Sequence, residues 1–277
     1  MADEIQLNEP QTLYRRWEDS QWSPFEVDLE TDAAQWPQLE QDRRTLILFV
    51  LSSLMVAEER ITTKFSGLVG AYGSEEEATF LATQQVDEAR HMQFYARFQD
   101  EVVAQPDLIA AHVGRARSQV SDAFRHIFDV ALVEAHQQLV AGPGDVEAKV
   151  RFVTLYHLVL EGALGLTSFK FITDYLSQHE LLPGFVDGYS RIHHDETRHI
   201  GYGVWWLRQA VGNDASAAEA IRATLRDVLP SVAESLKPPG GAESVLGVDE
   251  DTLRGFALDG LTGRLRVIGV PMETVYA

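Results

Sequence analysis

Asp87-Glu88-Ala89-Arg90-His91 and Asp195-Glu196-Thr197-Arg198-His199 are the stretches whose reading decides the fold. They differ at a single position, and both lie in strongly helical surroundings. On a helix, residues i and i+3 leave the same face about one turn apart. Glu88 with His91, and Glu196 with His199, therefore each offer a carboxylate and an imidazole to one first-row transition metal. A lone Glu-x-x-His arises by chance on solvated helices. A repeated five-residue phrase reads as the halves of one site.

A dinuclear site needs more ligands, and two apolar helical runs supply candidates. Phe152-Val153-Thr154-Leu155-Tyr156-His157-Leu158-Val159-Leu160 leads into Glu161, and Phe49-Val50-Leu51-Ser52-Ser53-Leu54-Met55-Val56-Ala57 leads into Glu58. Aligned on the acid, Phe, Val, a second Val and Glu coincide. An unpaired carboxylate on an apolar face costs several kcal/mol, so each acid requires a compensating partner. This register selects Glu58 over Glu59, which points about 100° away. The unit is thus a helix carrying an inward Glu followed by a helix carrying Asp-Glu-x-Arg-His, present twice.

Four carboxylates and two neutral imidazoles neutralise two divalent cations, so such a site can be buried without net charge. Glu/Glu-x-x-His, twice over, is the donor pattern of ferritin-like di-iron and di-manganese bundles. Residues of this type suit both iron and manganese. Asp87 and Asp195 each precede a ligand Glu, where they can accept the free ring N–H of a ligand histidine in the opposite half. Arg90 and Arg198 have carboxylates nearby to pair with, or are surface ion pairs.

The remaining sequence narrows the class. The net charge is −19, which argues against nucleic-acid binding. Cysteine is absent, which excludes disulfides, thiolate metal sites and cysteine nucleophiles. Met1 to Pro10 holds no apolar signal-peptide core, and a cytoplasmic chain is expected. The apolar run Leu46 to Ala57 falls short of the ~20 residues that span a bilayer, so no membrane span is expected.

Helices are predicted over about Gln38–Gly70, Ser74–Ala104, Arg117–Val140, Asp145–Gln178, Pro183–Val211, Ala215–Glu234 and Asp249–Leu265. Ser74 with Glu77 forms a capping box, and Asp145 is an N-cap. Pro106 and Lys237-Pro238-Pro239-Gly240-Gly241 read as breaks, residues 1–35 as irregular, and the last residues as an extended tail. The expectation is an all-α, ferritin-like bundle with a dinuclear metal site in a four-helix core. It is read as one domain: an N-terminal arm (1–36), a helical core (37–236) and a C-terminal extension (237–277).

On these motifs the chain resembles the ribonucleotide reductase small-subunit superfamily, from about Trp22 to the end of the fifth predicted helix. A weaker echo lies at Leu265-Arg266-Val267-Ile268-Gly269. The resemblance implies that Glu58, Glu88 and His91 hold one metal and Glu161, Glu196 and His199 the other, with carboxylates bridging. It implies a homodimer. Trp22, followed by Pro24 and Val27-Asp28, is similar to the family phrase containing the electron-transfer tryptophan, which implies a relay through Asp195 and His91.

Two branches of that group compete. The ligand-binding oxidases carry manganese and iron, react with O₂, hold a long-chain fatty acid and bear a Tyr–Val ether cross-link beside the metals. Tyr156 stands at the tyrosine position, and Ile61 at the valine position. Isoleucine also has a tertiary C–H at Cβ, so the same hydrogen abstraction is chemically open to it. True reductase small subunits store a radical on a tyrosine four residues after the first histidine ligand, where Tyr95 stands. A metal-storage or structural bundle is the non-catalytic alternative. The oxidase, acting on an apolar small molecule with a Mn/Fe or Fe/Fe pair, is the favoured reading.

Overall fold

The computed structural model describes residues 7–104, 107, 109–118, 120–237 and 248–277. Among these residues there is no strand, and the chain runs as helices throughout. They are α1 (Pro10–Asp19), α2 (Glu30–Gln35), α3 (Gln41–Lys64), the one-turn α4 (Ser66–Val69), α5 (Glu75–Glu101), α6 (Ile109–Arg117), α7 (Asp122–Arg125), α8 (Leu132–Ala141), α9 (Val146–Val153), α10 (Leu166–Gln178), α11 (Pro183–Asn213), α12 (Ala215–Ser235) and α13 (Glu250–Ile268). Wider π-helical stretches, with i→i+5 bonding, join α7 to α8 (His126–Ala131) and α9 to α10 (Thr154–Gly165). The predicted ferritin-like all-α class is what the chain adopts.

Side-chain caps open several of the helices. The Ser74 hydroxyl accepts from Glu77 N at 3.2 Å and opens α5. The reciprocal half of the capping box does not form. Glu77 instead accepts from Gly73 N at 2.5 Å, and its other oxygen takes the Lys149 ammonium at 2.7 Å and the Tyr202 hydroxyl, inside the core. Asp145 caps α9 through Glu147 N at 2.9 Å and Ala148 N at 3.3 Å. Asp249 caps α13 through Thr252 N at 2.7 Å.

Several boundaries differ from the sequence expectation. Of the stretch 1–35 read as irregular, the described part holds α1 and α2, with Pro10 at the first helical position, where its missing N–H costs nothing. The helix expected over Arg117–Val140 does not begin at Arg117. That residue ends α6, and a new start follows where Ser121 Oγ accepts from Phe124 N at 3.1 Å. The tail is not simply extended, since Met272–Thr274 forms a turn and Val275 is buried, its carbonyl accepting from Arg226 Nη1 at 3.0 Å. The breaks read at Pro106 and at 238–241 lie outside the described residues.

The longest apolar helix is the continuous run Val146–Gln178, whose hydropathy would suit a bilayer; 78% of its most apolar window is buried inside the protein. It is a core helix. Its flanks pack in two apolar clusters, one around Phe65, Tyr156 and Tyr202 and one around Phe94, Phe185 and Tyr189. The donor-bearing α3, α5, π stretch and α11 run between them.

A buried carboxylate and histidine cluster

Glu58 projects from α3, Glu88 and His91 from α5, Glu161 from the π stretch, and Glu196 and His199 from α11; all six are buried. They form two overlapping groups, Glu58/Glu88/His91/Glu196 and Glu88/Glu161/Glu196/His199. Within each, one ligand atom per residue lies within 4.8 Å of every other. Glu88 and Glu196 belong to both. His91 Nδ1 faces Glu88 at 3.3 Å and Glu196 at 3.5 Å. His199 Nδ1 faces Glu196 at 3.2 Å, and Glu88 and Glu161 each at 3.3 Å.

The outward ring nitrogens cross between halves. His91 Nε2 lies 3.2 Å from Asp195, and His199 Nε2 lies 3.2 Å from Asp87. Arg198 donates to Asp195 at 2.5 Å and Asp87 at 3.0 Å, and Arg90 donates to Asp87 at 2.7 Å. These arginines are thus part of a buried ion network rather than surface pairs. Trp22 Nε1 donates to Asp195 at 2.8 Å. Glu59 turns to the outside, where Arg117 meets it at 2.6 Å.

The protonation pattern follows from this packing. Burial pushes the Glu58 and Glu161 carboxyls well above the usual carboxylate range. Burial acts the same way on Glu88, but the imidazoles of His199 and His91 facing it at 3.3 Å outweigh it and hold Glu88 low. Burial would lower both imidazoles; instead Asp195 and Glu88 around His91, and Glu196, Asp87 and Glu161 around His199, raise them. Protons therefore sit where cations would.

The donor set fits a metal pair on a second count. Glu58 Oε2, Glu88 Oε2, His91 Nδ1 and Glu161 Oε2 are buried with no hydrogen-bond partner among the described residues. Orphaned buried acceptors are rare in native proteins, and their convergence on one point is what a bound cation relieves.

The other candidate residues surround this cluster. The Tyr156 hydroxyl donates to Glu88 Oε1 at 2.5 Å. Among the described residues the Tyr95 hydroxyl has no hydrogen-bond partner, and its ring packs on Phe94, Phe185 and Tyr189. Ile61, Tyr95, Glu58, Glu161 and Glu196 line a cavity of about 240 Å³ whose other walls include Phe49, Leu54, Phe128, Leu164 and Phe169. That is many times the ~10–15 Å³ of a one-water cavity, and its lining is mostly apolar.

Sequence reading missed two residues that touch the site. Gln84 donates to Glu161 Oε1 at 3.2 Å, and its amide also meets His157 Nε2 at 3.2 Å. Its place one helical turn before Glu88 was the available signal. Trp17 Nε1 donates to Asp87 Oδ1 at 2.9 Å, from a segment read as irregular and carrying no motif.

Fold and cluster together define a ferritin-like helical protein with the donors of a dinuclear carboxylate centre. The family model described as ribonucleotide reductase, small chain, matches residues 2–237. The chain belongs to that family, and with it to the metal-dependent oxidoreductases. Similar solved structures include a tyrosine-to-phenylalanine variant of an R2-like ligand-binding oxidase with an aerobically reconstituted Mn/Fe cofactor. It is 23% identical with a TM-score of 0.83, over 96% of this chain and 94% of that one. A valine-to-isoleucine variant of an R2-like ligand-binding oxidase, with an anaerobically reconstituted Mn/Fe cofactor, is 23% identical with a TM-score of 0.82 over the same shares. A glycine-to-phenylalanine variant is 24% identical, with a TM-score of 0.82 over 94% and 93%.

Proposed function

We propose that this protein is an O₂-activating dinuclear oxidase, with Mn/Fe or Fe/Fe held by Glu58, Glu88, His91, Glu161, Glu196 and His199. Its substrate is an apolar molecule in the adjoining cavity, with a long-chain fatty acid as the ligand class. The observation that carries this reading is the sharing of Glu88 and Glu196 between two donor groups that open onto one apolar cavity. When bound, the metals supply O₂ reduction and a strong oxidant. The residues around them do the rest. Glu88 and Glu196, which belong to both donor groups, would serve both metals, and Asp87 and Asp195 fix the ring tautomers so that Nδ1 of each histidine faces inward. The apolar lining from Phe49 to Phe169 keeps water away from the reacting atoms. Tyr156, whose hydroxyl donates directly to Glu88, is an oxidisable side chain in contact with the donor set.

The enzyme is proposed to work as a cytoplasmic homodimer. Each chain is one domain, with 1–36 and 237–277 as extensions on the 37–236 core. The test is metal analysis after aerobic loading with manganese and iron: two metals per chain are expected, and fewer overturn the reading. Intact mass then probes the tyrosine chemistry. An ether bond between Tyr156 Oη and Ile61 Cβ would form as an O–H and a C–H break, the two electrons going to the oxidant held by the metals and the two protons to the water formed from O₂. The expected signature is loss of two hydrogens confined to the peptides carrying Ile61 and Tyr156.

The partnerless Tyr95 hydroxyl favours a second reading, a reductase small subunit that stores a radical there. A stable tyrosyl radical signal abolished by Tyr95→Phe would establish it, and a loaded protein silent in that region removes it.

A further inference from the structure

We propose that Trp17 is an electron relay to the metal pair, acting through Asp87 and His199, and that it is oxidised more readily than Trp22. This rests on the dinuclear reading above. The path is continuous. Trp17 Nε1 donates to Asp87 Oδ1 at 2.9 Å, Asp87 Oδ2 lies 3.2 Å from His199 Nε2, and His199 Nδ1 faces Glu88, Glu161 and Glu196. The outer end is accessible, since Trp17 is only half-buried and Tyr14 packs beside it with ring centroids 6.0 Å apart.

The chemistry follows from this placement. All six donors are buried, and the cavity beside them is apolar, which disfavours entry of a charged, water-soluble reductant. Side chains offer such a reductant another route. Indole is among the most readily oxidised of these, and a carboxylate accepting its N–H stabilises the hole.

Trp22 has the same bond, to Asp195 at 2.8 Å, but differs in what covers its ring. The Arg90 guanidinium carbon stands 5.6 Å from the Trp22 ring centroid. The attraction that draws a cation to that face opposes removal of an electron from it. Among the described residues no Lys or Arg stands over the Trp17 ring in this way. Arg90 and Arg198 compensate the two aspartates together, each lying within 4 Å of both, so the asymmetry lies at the rings.

The step balances as follows. Once the bound metals are oxidised by O₂, one electron would pass to them from the Trp17 indole, leaving a radical cation whose N–H stays bonded to the Asp87 carboxylate. A soluble one-electron reductant of the ascorbate class then returns an electron to that radical. The donor loses one electron and the metal pair gains one.

The experiment uses the full chain loaded with metals, oxidised by O₂ and re-reduced by ascorbate, with metal content measured in parallel. Trp17→Phe is expected to slow re-reduction by about tenfold, equivalent to ~1.4 kcal/mol on the barrier. It is also expected to remove a transient indole radical from freeze-quench electron paramagnetic resonance. Trp22→Phe should slow re-reduction less, and the double variant more than either. Trp17→Tyr, which keeps an oxidisable ring, should restore part of the rate; Trp17→His, which keeps only an N–H donor, should not. Unchanged re-reduction and radical signal in Trp17→Phe at full metal content overturn the proposal. Full rescue by His also overturns it, because Trp17 then only holds Asp87 in place. A wild-type chain that retains fewer than two metals fails earlier, at the dinuclear reading itself.

Discussion

The two halves of the cluster present the same donors from differently built helices. Glu58 stands on the regular α3, and among the described residues no group outside the donor set donates to it. Glu161 stands in the π stretch, and Gln84 holds one of its oxygens at 3.2 Å. The charges needed to balance two cations are therefore repeated, while the restraint on them is not. π-Helical insertions within α-helices are frequent at functional sites, and here one carries both Glu161 and Tyr156. The C-terminal half is the braced one, and Glu58 is the acid left free to shift beside the cavity.

The largest test of this contrast removes what the halves share. Glu88→Ala should abolish binding of both metals by elemental analysis, whereas Glu58→Ala should leave one. Equal losses in the two variants would break the two-group description. Next, Gln84→Leu should weaken one metal by about 10–100-fold, the usual cost of losing an outer partner, and spare the other. A uniform loss would show that Glu161 is not singled out by its brace.

Acidity gives a third test. Glu58, Glu161, His91 and His199 all have raised folded-state pKa values, so the metal-free fold binds more protons than the unfolded chain. Its stability should therefore fall as pH rises from about 5 to 8, the window above ordinary carboxylate values. Glu88 and Asp195 are depressed and act only in the acid range below that window. Metals displace those protons, so metal affinity should rise with pH, with proton release on binding detectable by a pH indicator. A metal-free melting temperature that rises across this window would contradict the proton-loaded cluster. The smallest effect is expected at the neighbour of Glu58. Glu59→Gln breaks a partly exposed ion pair and should cost at most ~1 kcal/mol, with metal content unchanged.

The fold and the gathering of the acids were legible because both depend on period. An apolar helix with one acid, repeated in phase with Glu-x-x-His, leaves few alternatives once burial of a bare carboxylate is costed. The π stretch was not legible, since Thr154–Gly165 has the same apolar pattern that an α-helix would show. Trp17 and Gln84 were hidden for a different reason: each acts through one long-range hydrogen bond that no local pattern announces. In the stretch read as irregular, Pro10 starts α1, because a proline at the first helical position fits the helix while offering no apolar period to read.

The start of α11 has a consequence for how the molecule folds. Leu182, the residue before it, sits in the left-handed region at φ 48° and offers no side-chain cap. The cap comes from Asp32 on α2, whose carboxylate accepts from Gly184 N at 2.8 Å and Phe185 N at 2.7 Å. A Cβ on Gly184 would lie 2.1 Å from the Asp28 carbonyl, so only glycine admits this approach. The helix that presents Glu196 and His199 is thus tied off by a segment synthesised far earlier. Such a contact carries a loop-closure cost before it returns any stability. Docking of the N-terminal arm and completion of the second half of the cluster are thereby one event in assembly.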